Sequence, residues 1–397
     1  MRAFDPGPIS WIRQISPIHA RQHQSQIGNP KSNIVNLLIY VPQMAAYGGM
    51  ERHICLVAEA AAHTGSRVVL VTTSNSLAPA WRERLQAAGI VLKEMPAARG
   101  TAGGFAKAGW LLRQAFGLRG RWDVIYTNGQ GALARLVWLA DQARARRIHH
   151  HHTAADAAEQ RTWTPGFRRV LAQAGELVGC SRFTASNLDA ATGRSDSRFL
   201  PYFTETAFVA APPPAPASVA DRPLRFGFLG RLVSTKGIET ILRLAEDPAC
   251  AEIEWHIHGS GPDYPPARFA GLDGVVYHGG YATPQEQAAI LAALDAVALF
   301  SVHNEGMPLS LIETMAAGLP WVATARGGTP ELAESVADCE LVRNPENYDE
   351  CRAAVVALAS RLRAGATSRA NQRTVWERRF APSVVREQWL GFLAGCQ

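Results

Sequence analysis

Two carboxylates with seven residues between them mark the segment HNEGMPLSLIETMAAGLP. Pro308 suits the first turn of a helix and Gly318 suits its end, so the pattern predicts a helix that starts near Met307. Glu305 then lies in the loop before the helix, and Glu313 lies about a turn and a half inside it. An ordinary helix with one capping acid and one solvated acid would explain the same residue types.

The chemistry open to this pair follows from the position of each acid. A helix N-terminus at the carboxyl end of a strand favours an anion, typically a phosphate. A carboxylate would repel that phosphate, so Glu305 is better suited to sugar hydroxyls, and Glu313 can accept two hydrogen bonds from a ribose diol. Phosphate, sugar hydroxyls and ribose together predict a nucleotide-sugar site.

A pair of cations is the second candidate element. In FLGRLVSTKGIETI, Arg231 follows a predicted strand and Lys236 precedes a predicted helix, with a glycine at each end of the loop. Two cations at a helix N-terminus can bind a pyrophosphate and stabilise the charge that develops as it leaves. Two solvated surface cations are the alternative. The sequence has no D-x-D motif to hold a metal for this role, so we predict no metal and no other cofactor.

A Gly-Gly pair and a run of histidines complete the candidate residues. Gly48 and Gly49 in QMAAYGGME would let a backbone approach a ligand closely, although a plain turn is an equal explanation. Side chains on a strand alternate between two faces, so only alternate members of the run at residues 149–152 share a face. This alternation argues against a metal site and leaves ordinary strand histidines as the alternative.

The elements that must position these residues alternate between strand and helix. Strands are predicted at NLLIYVP, RVVLVTT, WDVIYTN, RRIHHHH and ELVGCS, and later at LRFGFLG, IEWHIHG, VVYHGG and AVALFS. Between the first two strands, Ile54, Val57, Ala58 and Ala61 form a helical stripe with Gly65 after it. The pattern is that of βαβ units, whose crossovers are right-handed.

The alternation is interrupted once, by the proline-rich segment VAAPPPAPASVADRP at residues 209–223, which predicts a linker. Residues 34–208 then form a first domain, completed by a C-terminal helix at 380–397, and residues 224–379 form a second. Residues 1–33 are predicted to be a mobile arm. The predicted fold class is α/β, with two doubly wound, Rossmann-like parallel sheets that face each other across a cleft.

The bulk composition fits a two-domain protein from a reducing compartment. The chain has 397 residues, and 47% hydrophobic with 19% charged residues allows each domain a full core. The six cysteines include no C-x-x-C pair, which argues against a zinc ribbon or a disulfide framework and favours the cytoplasm. No apolar run reaches the roughly 18 residues of a membrane span, and residues 1–30 lack the apolar core of a signal peptide.

Charge is distributed unevenly along the chain. Residues 1–210 contain 24 Lys and Arg against 13 Asp and Glu, a net of +11, whereas the remainder contains 16 against 21, a net of −5. The segment FAKAGWLLRQAFGLRGRW, residues 105–122, mixes aromatic and basic residues as interfacial helices do. We predict an anionic membrane surface as a partner and a peripheral position on the inner face of the membrane, with an ordinary amphipathic helix as the alternative. No nucleic-acid partner is predicted.

The motif-bearing segments resemble the family 4 glycosyltransferases. The resemblance rests on YGGMERHICLVAEAAAHTGSRVVLVT, FLGRLVSTKGIETI and HNEGMPLSLIETMAAGLPWVATARGGTPEL, and it covers about residues 36–395. Members are retaining enzymes with two facing Rossmann-like domains, the B-type glycosyltransferase fold. Thr314 and Trp321 replace the commoner Ala and Val near the Glu-x7-Glu motif, which puts only local packing in doubt.

The resemblance implies a role for each matched residue. Arg231 and Lys236 would hold the donor diphosphate, Glu305 would contact the donor sugar, and Glu313 would hold the ribose. The donor-binding positions of the family fall here on Gly48, Gly49, Arg231, Lys236, Glu305, Gly306, Met307, Pro308 and Glu313. The family also has a histidine after a strand that reaches the donor sugar.

His152, followed by Thr153, fits that family histidine best, with His151 as the second candidate. The catalytic set implied by the resemblance is therefore His152, Arg231, Lys236 and Glu305. Thr153 and Gly49 would contact the acceptor.

The implied reaction is the retaining transfer of a sugar from a nucleoside-diphosphate sugar to a hydroxyl acceptor, in polysaccharide or lipid-linked saccharide assembly. The leaving diphosphate would take the acceptor proton, so a metal would be dispensable. The alternatives are a nucleotide-sugar epimerase, an inverting transferase of similar build, or a catalytically silent scaffold. An oxidoreductase is disfavoured because no G-x-G-x-x-G follows the first strand. The base (uridine or guanosine), the donor sugar and the acceptor stay open.

Overall fold

The computed structural model describes residues 34–44, 48–97, 100–141, 144–213, 219 and 222–396, with the side chains of 115–117 excepted. The predicted arm at residues 1–33 lies outside this part of the chain. So does the central part of the predicted linker, at 214–218 and 220–221.

The first sheet has seven parallel strands in the order β3-β2-β1-β4-β5-β6-β7. Its strands are β1 (Asn36–Tyr40), β2 (Arg67–Thr73), β3 (Val91–Met95), β4 (Val124–Asn128), β5 (Arg146–His151), β6 (Glu176–Gly179) and β7 (Arg198–Phe199). The strand order reverses direction between β1 and β4. Ligands of such sheets bind beyond the carboxyl ends of the strands at this reversal.

The second sheet has six parallel strands in the order β10-β9-β8-β11-β12-β13. Its strands are β8 (Leu224–Leu229), β9 (Ile253–His258), β10 (Val275–Gly279), β11 (Ala296–Leu299), β12 (Trp321–Thr324) and β13 (Cys339–Val342). Here the reversal lies between β8 and β11, the strands that precede the two-cation loop and the Glu-x7-Glu segment. The predicted α/β class with two doubly wound parallel sheets is confirmed.

Helices connect the strands. They are α1 (Gly49–Ala62), α2 (Pro79–Ala87), α3 (Gly100–Gly117), α4 (Ala134–Val137), α5 (Ala157–Gln160), α6 (Pro165–Gln173), α7 (Arg182–Thr192), α8 (Ile238–Ala245), α9 (Pro284–Ala293), α10 (Leu309–Ala316), α11 (Tyr348–Arg363), α12 (Arg369–Arg379) and α13 (Pro382–Leu393). Among the residues described, no helix combines the length and hydropathy that a membrane span requires.

Both faces of the first sheet are buried, as expected for a sheet between two helical layers. In β1, Leu37 and Ile39 pack into one apolar cluster, and Leu38 and Tyr40 pack into another on the opposite face. The second sheet is enclosed by a single large cluster that includes residues of α8, α10 and α11. Strands buried on both faces explain why the sequence shows continuous apolar segments rather than alternating ones.

The helix of the Glu-x7-Glu segment begins two residues later than predicted. Pro308 has an extended backbone, φ −74° and ψ 104°, and its carbonyl accepts the first helical hydrogen bond, from Leu311 N at 3.1 Å. Pro308 is therefore the N-cap of α10, and Leu309 is the first helical residue. Gly318 lies just past the end with φ +70°, as predicted.

The C-terminal helix α13 returns to the first sheet. Trp389 is fully buried, donates a hydrogen bond from Nε1 to the carbonyl oxygen of Pro201 at 2.9 Å, and packs 4.9 Å from the His53 ring of α1. The break that precedes this helix falls between Arg379 and Pro382, because proline lacks the N–H that a continuing helix would need.

Candidate active site

Glu305 lies in the loop between β11 and α10 and is only 7% exposed. Its Oε1 accepts hydrogen bonds from Lys236 Nζ at 2.6 Å and from Ser301 Oγ at 2.5 Å. Burial alone would raise the pKa of this carboxyl, but the charges of Lys236 and His303 outweigh burial, so the pKa lies below its usual value. The carbonyl oxygen of Glu305 accepts from Gly328 N at 2.9 Å. The carboxylate is thus ionised at neutral pH and fixed in position.

The loop after β8 supplies the two predicted cations. Ser234–Lys236 forms a 3-10 turn, and Gly237 follows with φ +73°, a left-handed conformation that favours glycine. A Cβ on Gly237 would lie 2.0 Å from the carbonyl oxygen of Phe300, so the approach to the end of β11 also requires glycine. Because the loop lies this close to the end of β11, the Lys236 side chain reaches the buried carboxylate of Glu305. Arg231 is exposed, and its guanidinium has no hydrogen-bond or ion-pair partner within the described ranges.

The ion pair between Lys236 and Glu305 was not predicted. The sequence analysis assigned Lys236 to a diphosphate and Glu305 to sugar hydroxyls, whereas the structure joins the two side chains to each other. An ammonium group has three N–H donors, so Lys236 can hold the carboxylate and a phosphate oxygen at the same time. Both assignments remain predictions.

Glu313 has surroundings that the sequence did not reveal. It lies in the second turn of α10 and is 2% exposed. Arg52 Nη2 donates to its Oε1 at 2.8 Å, and Gln287 Nε2 donates to its Oε2 at 2.6 Å. Arg52 belongs to α1, so this buried ion pair joins the helices of the two sheets. A ribose at this position would share the carboxylate with two protein donors.

Two helix N-termini, one from each sheet, meet beside these residues. Gly48 is the N-cap of α1, and Pro308 is the N-cap of α10. A Cβ on Gly49 would lie 2.2 Å from Leu309 Cδ1, so the two helix starts approach too closely for any other residue at position 49 without a shift. The first turn of each helix carries N–H groups without helical partners and the positive end of a helix dipole, an arrangement that favours an anion.

The four consecutive histidines alternate between the two faces of β5, as predicted. The rings of His150 and His152 lie 4.0 Å apart on one face, whereas His151 Nε2 lies 2.7 Å from Glu159 Oε1 on the other. Burial lowers the pKa of His149 to about 3, and burial together with neighbouring histidines lowers the pKa of His150 and His152 well below the usual value. These three rings are therefore neutral at physiological pH.

His152 and Thr153 reach the loop of the other sheet. A Cβ on Gly306 would lie 2.9 Å from the carbonyl oxygen of His152 and 3.2 Å from the carbonyl carbon of Thr153, so the loop must carry glycine there. The His152 ring stacks on Tyr202 with 5.7 Å between centroids, and Nδ1 lies 3.1 Å from the Tyr202 hydroxyl. Its Nε2 is buried and has no hydrogen-bond partner in the part of the chain that is described.

His151, the second candidate, lies on the opposite face of the strand from His152 and contacts partners of its own. Thr153 Oγ1 and His151 Nε2 both lie within 2.7 Å of Glu159 Oε1. Burial alone would raise the pKa of Glu159, but the hydrogen bonds from His151, Thr153 and Ala155 N lower it to about 2. His151 is therefore tied to a permanent carboxylate within its own sheet domain.

Further polar contacts join the two domains around the site, and the sequence analysis did not predict them. Asn304 Nδ2 donates to Asp156 Oδ2 at 2.6 Å. The Glu331 carboxylate accepts from the backbone N–H groups of Arg182 and Phe183 at 3.0 and 2.8 Å, and so caps α7 from the opposite domain. Glu331 stands in the GGTPEL segment that carries part of the resemblance, which is the one sequence signal that could have identified it.

Both parts of the chain match models of glycosyltransferase domains. Residues 48–202 match the "Glycosyl transferase 4-like domain", and residues 223–361 match "Glycosyl transferases group 1". A curated relative, the MMP alpha-(1->4)-mannosyltransferase of Mycolicibacterium hassiacum, is 25% identical over 60% of this chain. The match spans 62% of that relative's own length.

Solved structures share the fold over nearly the whole chain. Anabaena Alr3699/HepE, crystallised with UDP and glucose, superposes with a TM-score of 0.70 at 18% identity and covers 91% of this chain and 99% of its own. WaaG, a glycosyltransferase involved in lipopolysaccharide biosynthesis, gives a TM-score of 0.66 at 15% identity, with 90% and 100% coverage. Each of the two parts of the chain thus matches a glycosyltransferase domain model, and the solved structures share its two-sheet fold.

Proposed function

We propose that the chain transfers a sugar from a nucleoside-diphosphate sugar to a hydroxyl acceptor with retention of the anomeric configuration. The observation that carries this proposal is the close approach of the α1 and α10 helix starts, with the Lys236–Glu305 pair in the loop before α10 and the His152 backbone packed against Gly306 of that loop. Anion-binding N–H groups beside fixed donors and acceptors for hydroxyls fit a sugar diphosphate.

In this proposal the diphosphate occupies the junction of the α1 and α10 N-termini. Arg231, which is exposed beside the site, and Lys236 stabilise the charge on the leaving diphosphate. Glu305 accepts hydrogen bonds from donor-sugar hydroxyls, and the neutral His152 ring offers Nε2 to the same sugar. Glu313 accepts from the ribose, while Arg52 keeps its carboxylate in place.

The bond changes of the reaction balance without a cofactor. The acceptor oxygen forms a bond to the anomeric carbon from the side that the diphosphate leaves. The bond between that carbon and the diphosphate oxygen breaks, and the acceptor proton passes to the diphosphate. We propose no metal for this step; in the proposal Arg231 and Lys236 supply the positive charge that a metal would otherwise bring.

The donor class has support from relatives. HepE was crystallised with UDP-glucose, and the curated Mycolicibacterium relative is named a mannosyltransferase. We propose a hexose carried on uridine or guanosine diphosphate, and an acceptor in polysaccharide or glycolipid assembly, since WaaG is involved in lipopolysaccharide biosynthesis.

A product analysis tests the proposal. The enzyme is incubated with UDP- and GDP-hexoses and a panel of glycosyl acceptors, and proton NMR records the anomeric configuration of the first product. Retention of the donor configuration supports the proposal. An inverted product would establish the inverting alternative, and an epimerised nucleotide sugar without transfer would establish the epimerase. A thermal-shift screen with UDP and GDP first identifies the base, because a bound nucleotide raises the melting temperature by mass action.

A membrane-surface acceptor is supported by one further observation. Phe105 and Leu112 lie two turns apart on α3, hence on one side of the helix, and are 80% and 46% exposed. Arg113, Arg119 and Arg121 are exposed nearby. Each cation near an anionic surface contributes about 1 kcal/mol, so this helix could hold the enzyme at the membrane reversibly.

Vesicle co-sedimentation tests this surface. We expect binding to anionic vesicles at low salt, little binding at high salt, and a clear loss in the Phe105→Ser, Leu112→Ser double variant. Leu139→Ser, which changes another exposed apolar residue (52% exposed) outside α3, is the control. Equal, negligible binding of the wild type to anionic and neutral vesicles would leave a soluble acceptor.

A further inference from the structure

Three histidines gather on the β9–β10 edge of the second sheet, and the proposed transferase chemistry uses none of them. Glu254, His256 and His258 alternate along β9 and therefore lie on one face of the strand. His278 lies beside them on β10, between positions paired with His256 and His258. One imidazole nitrogen from each histidine lies within 4.8 Å of the others.

The rings are arranged so that ring nitrogens face one another. His256 Nδ1 lies 2.9 Å from His278 Nε2, with the two rings parallel to within 11°. The His258 and His278 rings stack with 4.2 Å between centroids and 7° between planes. Three imidazoles in contact cannot all be protonated without strong repulsion, and each of the three contributes a ring nitrogen to the same small volume.

Glu254 fixes the tautomer of the central ring. Its Oε1 lies 2.7 Å from His256 Nε2, so the N–H on that nitrogen donates a hydrogen bond to the carboxylate. The other ring nitrogen of His256, Nδ1, faces His278 Nε2. A carboxylate that receives the outer N–H of a histidine whose other nitrogen faces further imidazoles is the usual second partner of a metal ligand.

We propose that His256, His258 and His278 bind a Zn²⁺ ion, with Glu254 positioning His256. Neutral imidazole nitrogens suit zinc, whereas Mg²⁺ and Ca²⁺ prefer oxygen ligands. Three protein ligands leave the fourth tetrahedral position to water. Zinc ligation needs nitrogens about 2.0–2.1 Å from the ion, so binding requires the three rings to turn toward a common point.

The ion would stabilise the edge of the sheet and the loop behind Arg231. β10 is the terminal strand of the six-stranded sheet, and the ion would tie it to β9. The segment after β9 packs on the loop that carries Arg231: a Cβ on Gly259 would lie 1.8 Å from the carbonyl oxygen of Gly230, and one on Gly261 would lie 2.2 Å from that of Leu232. The role is structural, and it does not depend on the proposed transfer reaction.

Isothermal titration of the chelator-treated, tag-free full chain with ZnCl₂ tests the site. We expect one Zn²⁺ per chain, a rise in melting temperature on binding, and loss of both effects in His278→Ala, whose exposed edge position makes misfolding a small risk. Glu254→Gln should bind Zn²⁺ about 10–100-fold more weakly. His63→Ala, an exposed histidine on the first domain, is the control and should bind as the wild type does.

The visible spectrum of bound Co²⁺ reports on metal ligation directly, separately from any change in stability. CoCl₂ added to the metal-free protein should give the visible absorption of tetrahedral Co²⁺ in the wild type and in His63→Ala, and not in His256→Ala or His278→Ala. Absence of Zn²⁺ binding in the folded wild type, or equal affinity in the wild type and His278→Ala, would overturn the proposal.

Discussion

The buried ion pair between Arg52 and Glu313 leads to a sharp prediction for Arg52→Ala. The two side chains are 6% and 3% exposed, and they connect α1 of the first domain to α10 of the second. Removing the guanidinium leaves the Glu313 carboxylate buried, with a hydrogen bond from Gln287 but no opposite charge beside it among the described residues. An uncompensated charge in such a position is costly because neither water nor an opposite charge solvates it.

The expected magnitude follows from this burial. Loss of one partner of a buried ion pair lowers the free energy of unfolding by about 3–5 kcal/mol. The Arg82–Glu94 pair supplies a matched control, because its 2.6 Å separation is similar but its side chains are 31% and 28% exposed. Arg82→Ala should cost only about 0–1 kcal/mol, since water solvates the remaining carboxylate.

Guanidinium unfolding followed by tryptophan fluorescence and circular dichroism measures both changes. We expect the midpoint of Arg52→Ala to fall well below that of Arg82→Ala, and the double variant Arg52→Met, Glu313→Gln to recover much of the loss because it contains no buried charge. A midpoint for Arg52→Ala no lower than that for Arg82→Ala would refute the reasoning. Failure of the double variant to recover would show that the charge is not the cause.

Three further predictions concern the proposed active site. Lys236→Ala and Arg231→Ala should each lower turnover about 10²–10³-fold with the circular dichroism spectrum unchanged. Arg268→Ala, which removes an exposed cation of the same domain, should leave turnover unchanged. Activity within a few-fold of wild type in both of the first two variants would refute the diphosphate assignment. Glu313→Gln should weaken binding of the bare nucleoside diphosphate in isothermal titration, and Glu305→Ala should mainly lower turnover; the opposite pattern would reverse the two roles. Excess EDTA should leave most of the turnover intact even as it strips the proposed zinc, and a collapse that Mg²⁺ or Mn²⁺ restores would contradict metal-independent transfer.

The sequence determined the fold class and the identity of most candidate residues because both depend on local patterns. Continuous apolar segments separated by helical stripes predict buried parallel strands, and the structure has them in two sheets. The alternation of side chains along a strand also predicted that the histidines at residues 149–152 divide between two faces. Strands β3, β7, β12 and β13 were not predicted. Of these, β3 reads VLKEM and carries charged residues within the strand, so it lacks the continuous apolar run by which the other strands were identified.

The start of α10 shows the limit of a local rule. Proline is compatible with the first helical position and with the N-cap, and only the backbone angles distinguish them. In the structure ψ of Pro308 is 104°, so the helix begins one residue after the proline. The close approach of Leu309 to Gly49 lies at this same helix start, and no pattern within the segment contains that contact.

Tertiary structure alone decided which charged groups meet. Lys236 and Glu305 are 69 positions apart, and Arg52 and Glu313 are 261 positions apart. The sequence shows that each of these residues carries a charge, but pairing over such separations is set by the strand order of two sheets and by how the helices of one domain pack against the other.

The cluster of His256, His258 and His278 is likewise brought together only by the tertiary structure. The first two share a face of β9 by simple alternation, which the sequence contains. The third joins them only because β10 lies beside β9 in a parallel register that pairs Val276 with His256. A register is fixed by the burial of whole strand faces rather than by any one residue, and for this reason the proposed metal site, which spans two strands, could be inferred only from the folded chain.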